Sequence, residues 1–176
     1  MTGTDLHIPT IETARLRLRA PCMADFTEYA AFRGSERARV LGGPYSRADA
    51  FDQLSALIGH WALRGFGRWM VADRETDAPL GVVGLYHPDD WPEPEIGWQV
   101  FGAAEGRGVA YEAAMASRDY AYAALGWKTV VSLILPTNTR SAALARRMGA
   151  VVEGTHLHAS YGTLEIRRHR GPEALA

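Results

Sequence analysis

Residues 95–110 read EIGWQVFGAAEGRGVA. Glu95–Phe101 predicts a strand, Gly102–Gly108 a glycine-rich loop, and Val109 to about Leu125 a helix. The expected inward face of that helix is small: Ala110, Ala113, Ala114, Ser117, Ala121 and Ala124. Such a face lets a helix lie close on a sheet. Gly106 and Gly108 allow the backbone to curl until its N–H groups converge. The helix N-terminus adds a positive partial charge, and together these make a site for a phosphate or pyrophosphate. Arg107 can supply a full positive charge, and the expected binding stretch is Gly106, Arg107, Gly108, Val109 and Ala110. The same glycines also suit a plain strand-to-helix turn. No Gly-Lys-Ser/Thr follows, so this is not a P-loop, and Tyr111 stands where a dinucleotide fingerprint needs its third glycine.

Downstream, Thr129–Leu135 (TVVSLIL) is β-branched and apolar, as a buried parallel strand requires. Pro136-Thr137-Asn138 opens another helix with Asn138 as its N-cap and Gly149 after its end. Ala150–His158 and Leu164–His169 read as a closing antiparallel pair around Tyr161-Gly162. Upstream, Leu16–Arg19 alternates with period two, as a half-buried strand does. Asp25-Phe26-Thr27-Glu28 predicts an N-cap and a short helix ending at Gly34. Ser46-Arg47-Ala48-Asp49 gives a stronger start, followed by Ala50, Phe51, Leu54, Leu57, Ile58 and Trp61 on one expected face, up to Gly65. Phe66–Ala72 and Leu80–Tyr86 predict a hairpin around Asp73–Pro79. Pro88–Pro94, with three prolines, predicts a loop. The order β-α-α-β-β-β-α-β-α-β-β is a mixed α/β architecture with four helices and a mostly antiparallel sheet, not a doubly wound nucleotide fold.

Composition narrows the function classes. The 176 residues correspond to about one domain, and no linker, repeat or low-complexity run divides them. With 19 Lys+Arg against 20 Asp+Glu the net charge is −1, which disfavours nucleic acid as the main partner. The single cysteine, Cys22, excludes a disulfide framework and reads as a packing filler. The histidines show no metal-ligand spacing; His156 and His158 alternate on a strand without an evident third ligand, so no metal is expected. No run reaches the length of a membrane span, and Met1–Thr10 lacks the pattern of a secretory signal, so a cytoplasmic location is expected.

Several pieces in register carry a resemblance. Glu105-x-x-Gly108-x-Ala110 looks like the pyrophosphate motif Q/R-x-x-G-x-G/A, with Glu105 where Gln or Arg is usual. Asn138-Thr-Arg-Ser141, then Gly149 and Glu153-Gly154, looks like a second motif. Ile11–Arg19 is similar to the opening L-E-T-E-R-L-x-L-R, and Arg168–Pro172 to the closing segment. The chain thereby resembles the GNAT superfamily of acyl-CoA-dependent N-acyltransferases, particularly its RimJ/RimL-like branch, over about residues 11–172. The resemblance implies one N-acetyltransferase domain spanning 1–176, with two central parallel strands splayed around the cosubstrate acetyl-CoA. Gln99, Val100 and Phe101 would offer backbone groups to the pantetheine amides, Gly106–Ala110 would hold the pyrophosphate, and an N–H near Val100 would stabilise the oxyanion.

The resemblance further implies a base at Glu95, because a protonated amine has no lone pair and free amines have pKa values near 8 to 10. A solvated strand-end carboxylate is the other reading of Glu95. Ser141 is the candidate acid or hydrogen-bond donor to the departing thiolate, or else an ordinary first-turn serine. Asn138 would bind the pantetheine arm, cap the helix, or do both. Two departures stand out. Glu105 is electrostatically odd beside a pyrophosphate unless its side chain turns to solvent. Ala145 occupies the position where many family members carry a tyrosine acid. Most of Trp61, Trp69, Trp98 and Tyr86 are expected in the core, and Trp91, in its proline-framed loop, on the wall of an acceptor pocket. The implied reaction is direct attack of a primary amine, from a protein N-terminus or a small molecule, on acetyl-CoA. A non-catalytic acyl-CoA sensor is the main alternative. A nucleotide-binding protein is disfavoured by the missing Lys-Ser/Thr, and a homodimer is left open.

Overall fold

The computed structural model describes residues 6–174. The leader reading of Met1–Thr10 therefore lies partly outside the described residues. Eight strands form one sheet: β1 (Ile11–Glu12), β2 (Leu16–Arg19), β3 (Arg68–Asp73), β4 (Pro79–Tyr86), β5 (Glu95–Val100), β6 (Val131–Ile134), β7 (Val151–His158) and β8 (Gly162–Arg168). Their order is β1-β2-β3-β4-β5-β6-β8-β7, and every neighbouring pair is antiparallel except β5 and β6. The helices are α1 (Phe26–Arg33), α2 (Arg47–Arg64), α3 (Val109–Ala123) and α4 (Thr139–Arg147).

Local sequence accounts for most of these boundaries. The Ser46 Oγ accepts from the Asp49 N–H at 3.1 Å, while Asp49 reaches back to the Ser46 N–H, a complete capping box for α2. Asn138 caps α4 by accepting from the Ser141 N–H at 3.1 Å. Asp25 behaves otherwise. It does not cap α1 but lies in a 3-10 turn, Met23–Asp25, where its carboxylate takes the forked Arg19 guanidinium at 2.7 and 2.8 Å and the Cys22 N–H at 2.8 Å. A full charge from β2 outcompetes the neutral helix amides. Cys22 is exposed, so it fills no core position.

The sheet is covered on both faces. Met70, Val82 and Phe101 pack with Phe26, Phe32, Leu54 and Leu57 of α1 and α2. Trp69, Val83, Leu85 and Ile96 pack with Ala113, Ala114 and Ala121 of α3. Ala113, Ala114, Ser117 and Ala121 form the small buried face of α3 that the sequence suggested, whereas Ala110 lines a cavity at the helix start and Ala124 is exposed beyond the last turn. On α2, Phe51 and Ile58 are likewise exposed, and only Ala50, Leu54, Leu57 and Trp61 are buried. A further 3-10 segment at Glu36–Leu41, not foreseen, brings Val40 and Leu41 over the open end of the sheet.

The parallel pair positions the site. β5 and β6 share one ladder position, Glu95 opposite Val131, and then part. Ser132 fills the floor of the gap, donating to the Ile96 carbonyl at 2.8 Å and lying 2.9 Å from His169 Nε2.

Candidate active site

Where β5 and β6 part, two cavities of about 470 Å³ each open on either side of a shared wall. Trp98, Gln99, Asn138 and Ser141 line both, so the two cavities adjoin at these residues.

Glu95 faces the first cavity. Its carboxyl accepts from the Leu133 N–H at 2.9 Å, the donor that β6 would have given β5 had the ladder continued. Only 8% of the residue is exposed, and burial pushes its carboxyl up to about 7. The Leu133 N–H, the Trp91 indole and the charge of Arg68 pull the other way without cancelling that shift. The Trp91 Nε1 lies close enough to the carboxyl to favour its ionised form, yet lacks hydrogen-bond alignment and is buried without another partner. Trp91 does line the cavity, with Tyr86 and His158 packed edge-on against it. His158 in turn meets Asp90 at 2.8 Å.

Ser141 sits at the junction. Its hydroxyl oxygen accepts from the Trp98 indole at 3.1 Å, which leaves its proton without a protein acceptor among the described residues. Ala145 is fully buried against Ile134 and Ala150, where a tyrosine ring would not fit.

The second cavity holds the glycine loop. Gly106 and Gly108 adopt φ of 70° and 78°, the left-handed region in which other residues are strained. No side chain caps α3, so its first N–H groups are left for an anion from outside. The loop is braced from behind: Arg15 donates to the Arg107 carbonyl at 2.9 Å and pairs with Glu112 at 2.6 Å. Val109 and Ala110 both line the cavity, although Val109 is largely buried.

Two expectations are corrected here. Arg107 is exposed and lies outside the cavity wall; its charge acts on Asp73 of the neighbouring hairpin. The wall charges are Arg37, Arg140 and Arg147 instead, none of which sequence spacing singled out. Glu105 does not turn to solvent but is held between Arg37 and Arg140, the latter at 3.0 Å. Opposite charges from two other segments make its position favourable.

The edge of β5 is corrected too. Phe101 is buried in the α1–α2 core, and its N–H donates to the Leu80 carbonyl at 2.8 Å. Backbone groups alternate sides along a strand, so those of Gln99 also point to β4. The Ile96 carbonyl faces β6, where Ser132 reaches it, and the groups of Trp98 and Val100 follow it into the gap. Trp98 and Val100 thus present the free edge. Reading the alternation from the sequence would have required knowing which flank β4 occupies.

Among the described residues no group of three or more His, Cys, Asp or Glu could hold a metal ion, and no helix is long and apolar enough to cross a membrane.

Comparison with known proteins agrees with this geometry. A family model described as "Acetyltransferase (GNAT) domain" matches residues 15–151. The crystal structure of an acetyltransferase from Agrobacterium tumefaciens is 36% identical, with 97% of this chain and 99% of that one covered at a TM-score of 0.85. A putative GNAT-family acetyltransferase from Bordetella pertussis is 26% identical, covering 92% and 99%, at a TM-score of 0.78. RimL, a ribosomal L7/L12 alpha-N-protein acetyltransferase solved in complex with coenzyme A, shares the fold at 15% identity and a TM-score of 0.72, covering 92% and 98%.

Proposed function

From the premise that this chain belongs to the GNAT acetyltransferase family, we propose that it moves an acetyl group from acetyl-CoA to a primary amine by direct attack, with Glu95 as base. The amine is that of a small molecule or a protein N-terminus, the latter being what the RimL neighbour acetylates. The cytoplasm, where acetyl-CoA is made, is the proposed location. The carrying observation is a buried carboxyl with its pKa raised to about 7, facing one cavity at the mouth of the parting strands. A base is most effective when its pKa lies near the working pH.

The second cavity fits the cosubstrate. An uncapped helix start, two left-handed glycines and three arginines match a pyrophosphate and a 3′-phosphate. When bound, acetyl-CoA supplies the acyl thioester. The free groups of Trp98 and Val100 offer strand-like hydrogen bonds to its amides, and the Val100 N–H is placed for the oxyanion. Asn138 keeps its cap while its amide lines the cleft. Glu95 receives the amine's proton, and the Ser141 hydroxyl, held by Trp98, donates a hydrogen bond to the leaving thiolate, which takes its proton from water. No protein nucleophile is required.

Glu105 supports the alternative of a CoA-binding sensor, since it places an acid in the cofactor cavity. Two measurements separate the readings. Millimolar CoA should raise the melting temperature and ATP should not, because a ligand of the folded state stabilises it by mass action. A mixture of primary amines should then release CoA thiol from acetyl-CoA. Stabilisation without release in any amine mixture would favour the sensor, and a shift with ATP alone would defeat both.

A further inference from the structure

The first cavity carries two arginines that the acetyl-transfer reading does not use. Arg33, the last residue of α1, is only 6% exposed, yet no carboxylate lies within ion-pair distance of it among the described residues. Its Nε and Nη1 meet only the neutral side-chain oxygens of Gln53 and Gln99, the second at 3.4 Å. Its guanidinium lies over the Tyr45 ring at 4.4 Å. Arg68, at the start of β3, is half-buried, lies over the Tyr86 ring at 4.1 Å, and its guanidinium makes no hydrogen bond to the described protein. Arg33 and Arg68 line the same cavity, together with Tyr29 and Tyr161.

A buried guanidinium without an anion is costly, and evolution normally pairs it. Arg19 is paired with Asp25, Arg168 with Glu93 and Glu153, and Arg37 with Glu105, while the buried Arg118 donates to the Met148 carbonyl and lies outside the cavity. In the first cavity the acids are Asp90, engaged with His158, and Glu95, reserved for the amine. The sheet also leaves a lane between the ends. Arg68, Gly84 and Gly97 lie opposite one another across β3, β4 and β5, and neither glycine puts a side chain between Arg68 and the Glu95 end. The cavity therefore has a basic end and an acidic end, and 470 Å³ is within the range of small-molecule sites.

We propose that the acceptor is a small amine that also carries an anionic group, a carboxylate or a phosphate, which docks on Arg33 and Arg68 while the amine lies at Glu95. This rests on the acetyltransferase reading above and narrows its acceptor. The stacked tyrosines hold both guanidinium planes in place, so little side-chain entropy is lost when the anion arrives.

The test uses the full chain with saturating acetyl-CoA and reads CoA release. Acceptors are compared in matched sets: ω-amino acids of two to six carbons, their primary amides, the corresponding aminoalkyl phosphates, and a tripeptide amide without acidic side chains. Charge-assisted contacts to one anion predict a kcat/KM at least about tenfold higher for the best charged acceptor than for its amide, mainly through KM. Whichever charged series leads identifies the anion. In Arg33→Gln and in Arg68→Gln, that charged-to-neutral ratio should fall towards one; Arg68 is half-buried, so its variant tests the idea even where the Arg33 variant folds poorly. Arg33→Lys should retain part of the ratio. Amides or the tripeptide used as well as the charged acceptors would overturn the proposal while leaving the acetyltransferase standing. A ratio that survives both Gln variants would overturn it as well, and absence of release with every amine would defeat both readings.

Discussion

The Glu95 carboxyl accepts the Leu133 N–H at 2.9 Å across the point where β5 and β6 separate, so the side chain closes the ladder that the two strands abandon. One carboxyl thereby serves as a structural acceptor and is the base of the proposed reaction, buried on the wall of the first cavity. The arrangement has a stability consequence with a definite sign.

Burial raises the folded-state pKa of Glu95 to about 7, above its ordinary 4.5. Its contribution to stability is thus fully present below pH 4.5 and is lost as pH rises through about 7, a change on the order of 3 kcal/mol. Glu95→Gln removes the penalty of the buried charge. The variant's melting temperature relative to wild type should therefore be higher at pH 8 than at pH 5. A pH-independent difference would contradict the burial account.

His169 titrates with the opposite consequence. Burial, helped by the nearby Arg118 charge, lowers its pKa to about 4, and its Nδ1 has no partner among the described residues. The unfolded chain takes up a proton below pH 6.5 that the folded chain refuses, so stability should fall between about pH 6.5 and pH 4. Urea midpoints at pH 7 and pH 5 check this. His169→Gln should lose less over that interval than wild type, and an identical loss would place the acid sensitivity elsewhere.

Glu105 holds Arg37 and Arg140, two of the charges that face the cofactor cavity. Glu105→Gln releases them and removes a negative charge, which should tighten CoA by about 1 kcal/mol, roughly fivefold. Arg140→Ala should weaken CoA, and Arg107→Ala should weaken it less, since Arg107 lies off the cavity wall. None should change binding of a pantetheine fragment without phosphates. Weaker CoA binding in Glu105→Gln would mean that the carboxylate organises the arginines.

A Cβ on Gly97 would lie 3.5 Å from the Glu95 Oε1, ordinary contact that the fold tolerates. Gly97→Ala should leave the KM for acetyl-CoA unchanged but lower kcat/KM for the acceptor by on the order of tenfold, because the amine's approach is narrowed. Isothermal binding and steady-state kinetics read the two separately. An unaltered acceptor kcat/KM would show that amines approach from another side.

Features set by neighbours in sequence were legible before folding. The Ser46–Asp49 box, the Asn138 cap and the strand–glycine loop–helix order each depend on residues a few positions apart. Features set by distant segments were not. Asp25 looks like a helix cap until Arg19 claims it, and Phe51 and Ile58 look buried until packing leaves only Ala50, Leu54, Leu57 and Trp61 of α2 covered. Arg33 at the end of α1 and Arg68 at the start of β3 sit in no local pattern that marks a site. Only the folded sheet sets both in one cavity, with no carboxylate paired to either among the described residues.

The central claim is best tested by the pH dependence of acetyl transfer to a high-pKa amine in wild type and Glu95→Gln. Wild-type turnover should rise through a pKa of about 7. The variant should fall by about 10²–10⁴-fold at pH 7 with acetyl-CoA affinity nearly unchanged, and the deficit should narrow towards the amine's own pKa. Wild-type turnover at pH 7 in Glu95→Gln would contradict the account and reduce Glu95 to a structural acceptor for Leu133.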